Sequence, residues 1–204
     1  MRIILTALAL LSSLAFGGEW VVTEGGLSPD KKLAVAVFPQ KTEFIDEADD
    51  TVLLIDQTTG RRIGPLEEVS SSGGTWGTTT ENVHCVWSAD SAILIVNFRT
   101  GRLMSSSQIY RIRDRRATPL SLPAATTHPK GKNLEVLQRS ANPGSEITFA
   151  QDGTLLQRVW GYVPDWNLDY SKHGLSGFEG ELHFHYSFDQ SGELQLRDIT
   201  VPAP

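Results

Sequence analysis

The chain has 204 residues, 24 acidic against 18 basic, and a net charge of −6. That sign disfavours nucleic acid and anionic membranes as partners, and the length suits one domain with a real core. Its single cysteine, Cys85, excludes an internal disulfide.

Met1-Arg2-Ile3-Ile4-Leu5 and the apolar run to Leu11, followed by small residues around Ala15-Phe16-Gly17, have the three-part layout of a secretory signal peptide. The expected division is a signal over residues 1–17 and one all-β repeat domain over 18–204, secreted or periplasmic. Losing the signal removes Arg2 and leaves 17 basic against 24 acidic residues, net −7. No later stretch is long and apolar enough to insert in a membrane.

A first strand is expected at Glu19–Thr23, with Gly25-Gly26 opening a turn, and a second at Leu33–Phe38, ended by Pro39. Glu43, Asp46, Glu47, Asp49 and Asp50 belong to a polar loop whose spacing matches no Ca²⁺ loop. Val52–Ile55 is a strand and Thr59-Gly60 a hairpin turn, followed by a Ser/Gly/Thr-rich linker from Ser70 to Thr80. Val83–Trp87 places Val83, Cys85 and Trp87 on one face, which makes Cys85 a small buried hydrophobe. Ala92–Val96 is apolar on both faces and must be covered on both. Gln108–Arg113 sends Ile109 and Tyr110 in opposite directions, the mixed pattern of a strand near a sheet edge. Arg111, Arg113, Arg115 and Arg116 read as a solvated face protecting that edge. Pro119–Lys132 is an irregular connection.

Strands at Leu134–Gln138 and Glu146–Phe149 flank an Asn142-Pro143-Gly144 turn, and Asp152-Gly153 turns into a strand at Leu155–Trp160. Gly161–Gly180 is the least regular stretch. Glu181–Phe188 alternates strictly, with Leu182, Phe184, Tyr186 and Phe188 inward, and Ser191-Gly192 returns it into Glu193–Arg197.

One turn pattern recurs: an apolar residue, a small one, any residue, Asp, and an apolar residue three later. It occurs at Leu27-Ser28-Pro29-Asp30, Trp87-Ser88-Ala89-Asp90 and Phe149-Ala150-Gln151-Asp152, and loosely at Tyr186-Ser187-Phe188-Asp189. Recurrence of one supersecondary unit marks repeat architectures. The segments Ser28–Val35 and Trp87–Leu94 resemble the W-S-P-D-G-K blade motif of WD-like β-propellers, of the Tol-associated and prolyl-oligopeptidase kinds. Val52–Gly60 is similar to the strand and Asp-x-x-x-Gly label that follows in those families. The resemblance implies antiparallel, propeller-like meanders and no active site. At roughly 45 residues per blade, about four blades or an open blade stack fit the chain, with a β-sandwich as the alternative.

The residues point to a non-enzymatic binding or scaffolding protein without a cofactor. No Gly-x-Ser-x-Gly elbow or phosphate-binding glycine fingerprint is complete. His183 and His185 share one strand face and could supply two metal ligands, with His173 or Glu181 as a third, but a polar outer face is the simpler reading and no metal is expected. The candidate ligand site is the aromatic stretch with Trp160, Tyr162, Asp165, Trp166, Asp169 and Tyr170. Gly161 and Pro164 argue against a regular strand there, and exposed aromatics suit neutral saccharides or peptides, a protein partner being the other possibility. The alternative is a carboxylate-dependent hydrolase acting on saccharides through Asp165, Asp169 and Glu179.

Overall fold

A computed structural model describes residues 20–37, 52–69, 81–100, 105–123, 144–163 and 178–200. All of the regular structure there is β. Twelve strands form three four-stranded antiparallel units. The first unit is β1 (Val21–Leu27), β2 (Leu33–Val37), β3 (Leu53–Asp56) and β4 (Arg62–Pro65). The second is β5 (Val83–Trp87), β6 (Ile93–Arg99), β7 (Ser105–Arg113) and β8 (Arg116–Leu120). The third is β9 (Gly144–Phe149), β10 (Leu155–Val163), β11 (Phe178–Phe188) and β12 (Leu194–Thr200). Among the described residues the strand order is open, with β4 and β12 at its two ends, and no helix is long and apolar enough to cross a membrane. The expected signal segment 1–17 and the strand Leu134–Gln138 lie outside the described residues.

Successive units meet through one parallel bridge each, Glu24 opposite His84 and Ser105 opposite Gly144. Two such short joints let the units fold over and pack face to face. The two-faced apolar run of β6 shows it. Leu94, Val96 and Phe98 join Val35, Leu54, Tyr110 and Ile112 in the core between the first and second units. Ile95 joins Ile109, Ile147, Leu155, Leu182 and Phe184 in the core between the second and third. The second unit is therefore the middle layer, and each fully buried aliphatic side chain there contributes about 1.5–3 kcal/mol. A third cluster, Ala34, Ala36, Leu53 and Ile55, is buried on the far face of the first unit, with Trp20 and Val22 against it. Cys85 is buried as expected, and burial pushes its thiol up to about 12.

The differences from the sequence reading have physical causes. β1 runs through Gly25 and Gly26 instead of turning at them. Gly25 adopts φ 66°, and a Cβ there would lie 2.0 Å from the Cys85 carbonyl oxygen, so only glycine permits the approach of β5. β7 pairs with β6 and β8 along its length and meets β9 at Ser105, so it lies one strand in from the unpaired side of β8, near an edge as expected. β8 includes Pro119, which the strand tolerates because its other side has no partner among the described strands. Gly144 is the first residue of β9 and not part of a turn. β10 continues to Val163 and β11 starts at Phe178, so the stretch around Gly161 is paired strand, Gly161 lying opposite Gly180.

The recurring turns are built as their residues dictate. Ser88 Oγ donates to Asp90 Oδ1 (2.6 Å) and accepts from Ile93 N–H (2.8 Å), while Asp90 also accepts from Ala92 N–H (3.0 Å). Ser28 and Asp30 repeat this around Lys32 and Leu33 at 2.8–3.2 Å. Lys31 and Ser91 carry the positive φ, 59° and 61°. Asp152 binds Thr154 N–H at 3.0 Å. Asp189 departs from the pattern: it stands at the first position of its turn and accepts from Ser191 and Glu193 N–H, both 2.9 Å. That explains why its next apolar residue comes late. Asp56 uses the same first-position geometry with Thr58 and Thr59.

The third unit is held to the second by side chains standing in for a strand ladder. Asn97, 8% exposed, donates through Nδ2 to Ile147 O (2.9 Å) and accepts at Oδ1 from Ile147 N–H (2.8 Å) and Ser107 Oγ (2.7 Å). Ser105 Oγ donates to Ser145 O (3.1 Å) and accepts from Ser145 N–H (3.2 Å). Of the arginines expected on a solvated face, Arg113, Arg115 and Arg116 are exposed, Arg115 pairing with Asp56 of the first unit, while Arg111 is partly buried and donates to the Gly192 carbonyl of the third.

Two stability predictions follow from this packing. Asn97→Ala strands a buried donor and acceptor on Ile147, and urea unfolding should show a loss of about 2–4 kcal/mol. Asp90→Ala should lose about 0.5–2 kcal/mol at pH 7, the scale of a local cap. The Ser88 hydroxyl and the Ala92 N–H hold the Asp90 carboxyl below its usual value. A depressed folded pKa gives stability that is present above the unfolded value and lost as pH falls through the folded one. The gap between the parent chain and Asp90→Ala should therefore narrow in acid, below about pH 4. A gap that stays constant down to pH 2.5 would rule out the ionised turn carboxylate.

Candidate functional site on the outer face of the third unit

Strict alternation along β11 sends Leu182, Phe184 and Tyr186 into the core and leaves Glu181, His183 and His185 on the opposite face. Pairing places Arg158 of β10 between Glu146 of β9 and His183 of β11, and Trp160 between Gly144 and Glu181. His183 lies opposite Thr200 of β12. This outer face therefore carries a tryptophan, an arginine, two carboxylates and two histidines across three strands.

The groups are joined. Arg158 grips Glu181 with two N–H groups, Nε to Oε1 (3.0 Å) and Nη2 to Oε2 (3.2 Å). His183 Nε2 donates to the same Oε1 at 2.6 Å, and Arg158 Nη1 lies 3.9 Å from Glu146. Bidentate guanidinium–carboxylate pairs are geometrically specific. The Arg158 hydrogen bonds, with that of His183, hold the Glu181 carboxyl below its ordinary value, and Glu181 in turn raises Arg158. His185 Nε2 and Thr200 Oγ1 are 3.1 Å apart.

Trp160 is half-buried, and its place is set by a missing side chain. A Cβ on Gly144 would fall 2.4–2.6 Å from three atoms of the indole, so the ring lies directly against the Gly144 backbone. The indole beside the Arg158–Glu181–His183 network offers a stacking face flanked by hydrogen-bonding groups.

Of the residues expected to form a ligand site, Trp160 is on this face. Tyr162 belongs to β10 opposite Glu179 of β11. Asp165, Trp166, Asp169 and Tyr170 lie outside the described residues. Sequence reasoning weighed Glu181 and His183 only as metal ligands and missed Arg158 and Gly144. Opposite charges on neighbouring strands would have been the signal for Arg158, once the register was known. Nothing local marks Gly144 as the seat of a ring 16 positions further on. Among the described residues no group of three or more His, Cys, Asp or Glu is placed to hold a metal ion.

No family model, curated protein or solved structure shows significant similarity to the chain.

Because Glu181 Oε1 already holds His183 Nε2 and Arg158, a second cation at that carboxylate would displace both. Zn²⁺ in modest excess near pH 7.5 should leave the melting temperature unchanged, since a ligand raises stability only by binding the native state. A stoichiometric rise lost in the His183→Ala/His185→Ala double variant would establish a metal site instead.

Proposed function

We propose that the chain is an exported, non-enzymatic binding module: an open stack of propeller-like units that presents its ligand surface on the outer face of the third. The observation that carries this reading is the Trp160 indole seated on Gly144 beside the Arg158–Glu181–His183 network. Its charges are satisfied within the face, so a neutral ligand meets a stacking surface without having to neutralise a field. That favours neutral saccharides or uncharged peptide segments. Tyr162, Asp165, Trp166, Asp169 and Tyr170 follow Trp160 in the chain and extend the proposed surface. Four-stranded antiparallel units with Ser-x-Asp turns, stacked face to face, support the propeller-like reading.

A glycan and peptide array, followed by titration of intrinsic tryptophan fluorescence, tests the proposal. With a ligand in hand, Trp160→Ala should weaken binding at least tenfold, about 1.4 kcal/mol. Gly144→Ala keeps the indole but forces it off its seat, so it should weaken binding in the same direction with the fold intact. Unchanged affinity in both variants, or an array without binders, would reject the proposal.

A further inference from the structure

All six hairpin turns among the described residues lie at one end of the stack. The parallel bridges orient β1 with β5 and β7 with β9, so residues 28–32, 57–61, 88–92, 114–115, 150–154 and 189–193 reverse the chain on the same side. Four of these turns are linked, those at 28–32, 57–61, 88–92 and 114–115. Gln57 N–H donates to Lys32 O (2.9 Å), joining the first two, and Arg115 reaches across from the second unit to Asp56. Together they collect Lys31, Lys32, Arg61, Arg62, Arg113, Arg115 and Arg116, all exposed.

The acids nearby are engaged. Asp30 holds Ser28 Oγ, the Lys32 N–H and the Lys32 ammonium; Asp56 holds two backbone N–H groups and Arg115; Asp90 holds the next turn, which is joined to the first by Asp30 N–H to Ser91 Oγ (3.2 Å). Counting Asp114 as well, seven cations face four acids across the turns of the first and second units, a local excess of three positive charges on a chain of net −6, whereas the two turns of the third unit carry Asp152, Asp189 and Glu193 and no cation. Arg61, Arg62, Arg113 and Arg116 form no ion pair among the described residues.

We propose that the linked turns of the first and second units bind an extended polyanion, an acidic polysaccharide bearing sulfate or carboxylate groups. Guanidinium forks match such oxyanions two bonds at a time. The four linked turns carry no aromatic side chain on which bases would stack, and the one exposed large apolar residue among those described, Leu27, is too little for lipid insertion. This surface is at the turn end and is separate from the Trp160 face.

The test uses the full exported chain with fluorescent heparin oligosaccharide as the probe, neutral dextran as control, and phosphatidylglycerol vesicles and oligothymidine as rival anions. The expected result is heparin binding at neutral pH that weakens steeply with added salt, with none to dextran. Arg113→Glu/Arg116→Glu should reduce heparin affinity at least tenfold without changing the melting temperature, Arg62→Glu should act in the same direction, and Trp160→Ala should have no effect. Heparin binding no stronger than dextran binding, or unchanged affinity in both charge-reversal variants, would overturn the proposal. Tighter binding to vesicles or to oligothymidine would overturn the polysaccharide assignment.

Discussion

The architecture depends on one buried amide. Asn97 projects from the middle layer and satisfies both the N–H and the C=O of Ile147, a pair of bonds that a neighbouring strand would ordinarily make. Because the Ile147 N–H can only donate and its C=O only accept, the amide has one orientation and the third unit one position. An aliphatic residue in its place would leave two peptide groups dry and unpaired, which costs more than its added apolar area returns. The core between the second and third units is non-directional, so it supplies cohesion; Asn97, with Ser105 and Arg111, supplies the register.

The joint between the first and second units uses other devices toward the same end. Gly25 lets β1 approach the Cys85 carbonyl, Thr23 Oγ1 lies 3.4 Å from Cys85 Sγ, and Trp87 Nε1 donates to Gly26 O at 3.0 Å. Both joints therefore put polar side chains where backbone pairing is nearly absent. This gives the Trp87 of the recurring motif a physical role: its indole N–H links one unit to the next.

What could be read from the sequence divides along this line. Period-two alternation in Glu181–Phe188, the two-faced apolar run after Asp90 and the Ser-x-Asp turns are local signals, and each appears in the fold where it was expected. The inter-unit contacts were not legible, because Asn97 finds its partner 50 residues away and Arg111 finds Gly192 81 residues away. A polar residue inside an apolar strand reads as a flaw until its partner is known. The candidate site shows the same split. The aromatic richness around Trp160 is a composition signal, whereas its seat on Gly144 and its link through Glu181 to Arg158 exist only once three strands are in register. Gly161 misled for a related reason: opposite another glycine it is simply a narrow rung in a long hairpin.

The single-bridge joints give the molecule a grain. Within the third unit, β10 and β11 are locked by nine consecutive residue pairs, while each neighbouring pair of units shares one. Tension applied across the layers would first meet side-chain contacts and apolar surface, and would meet intact hydrogen-bonded ladders only after the layers had parted. Such an object yields by cleavage between sheets, as a layered mineral does, with each layer keeping its weave.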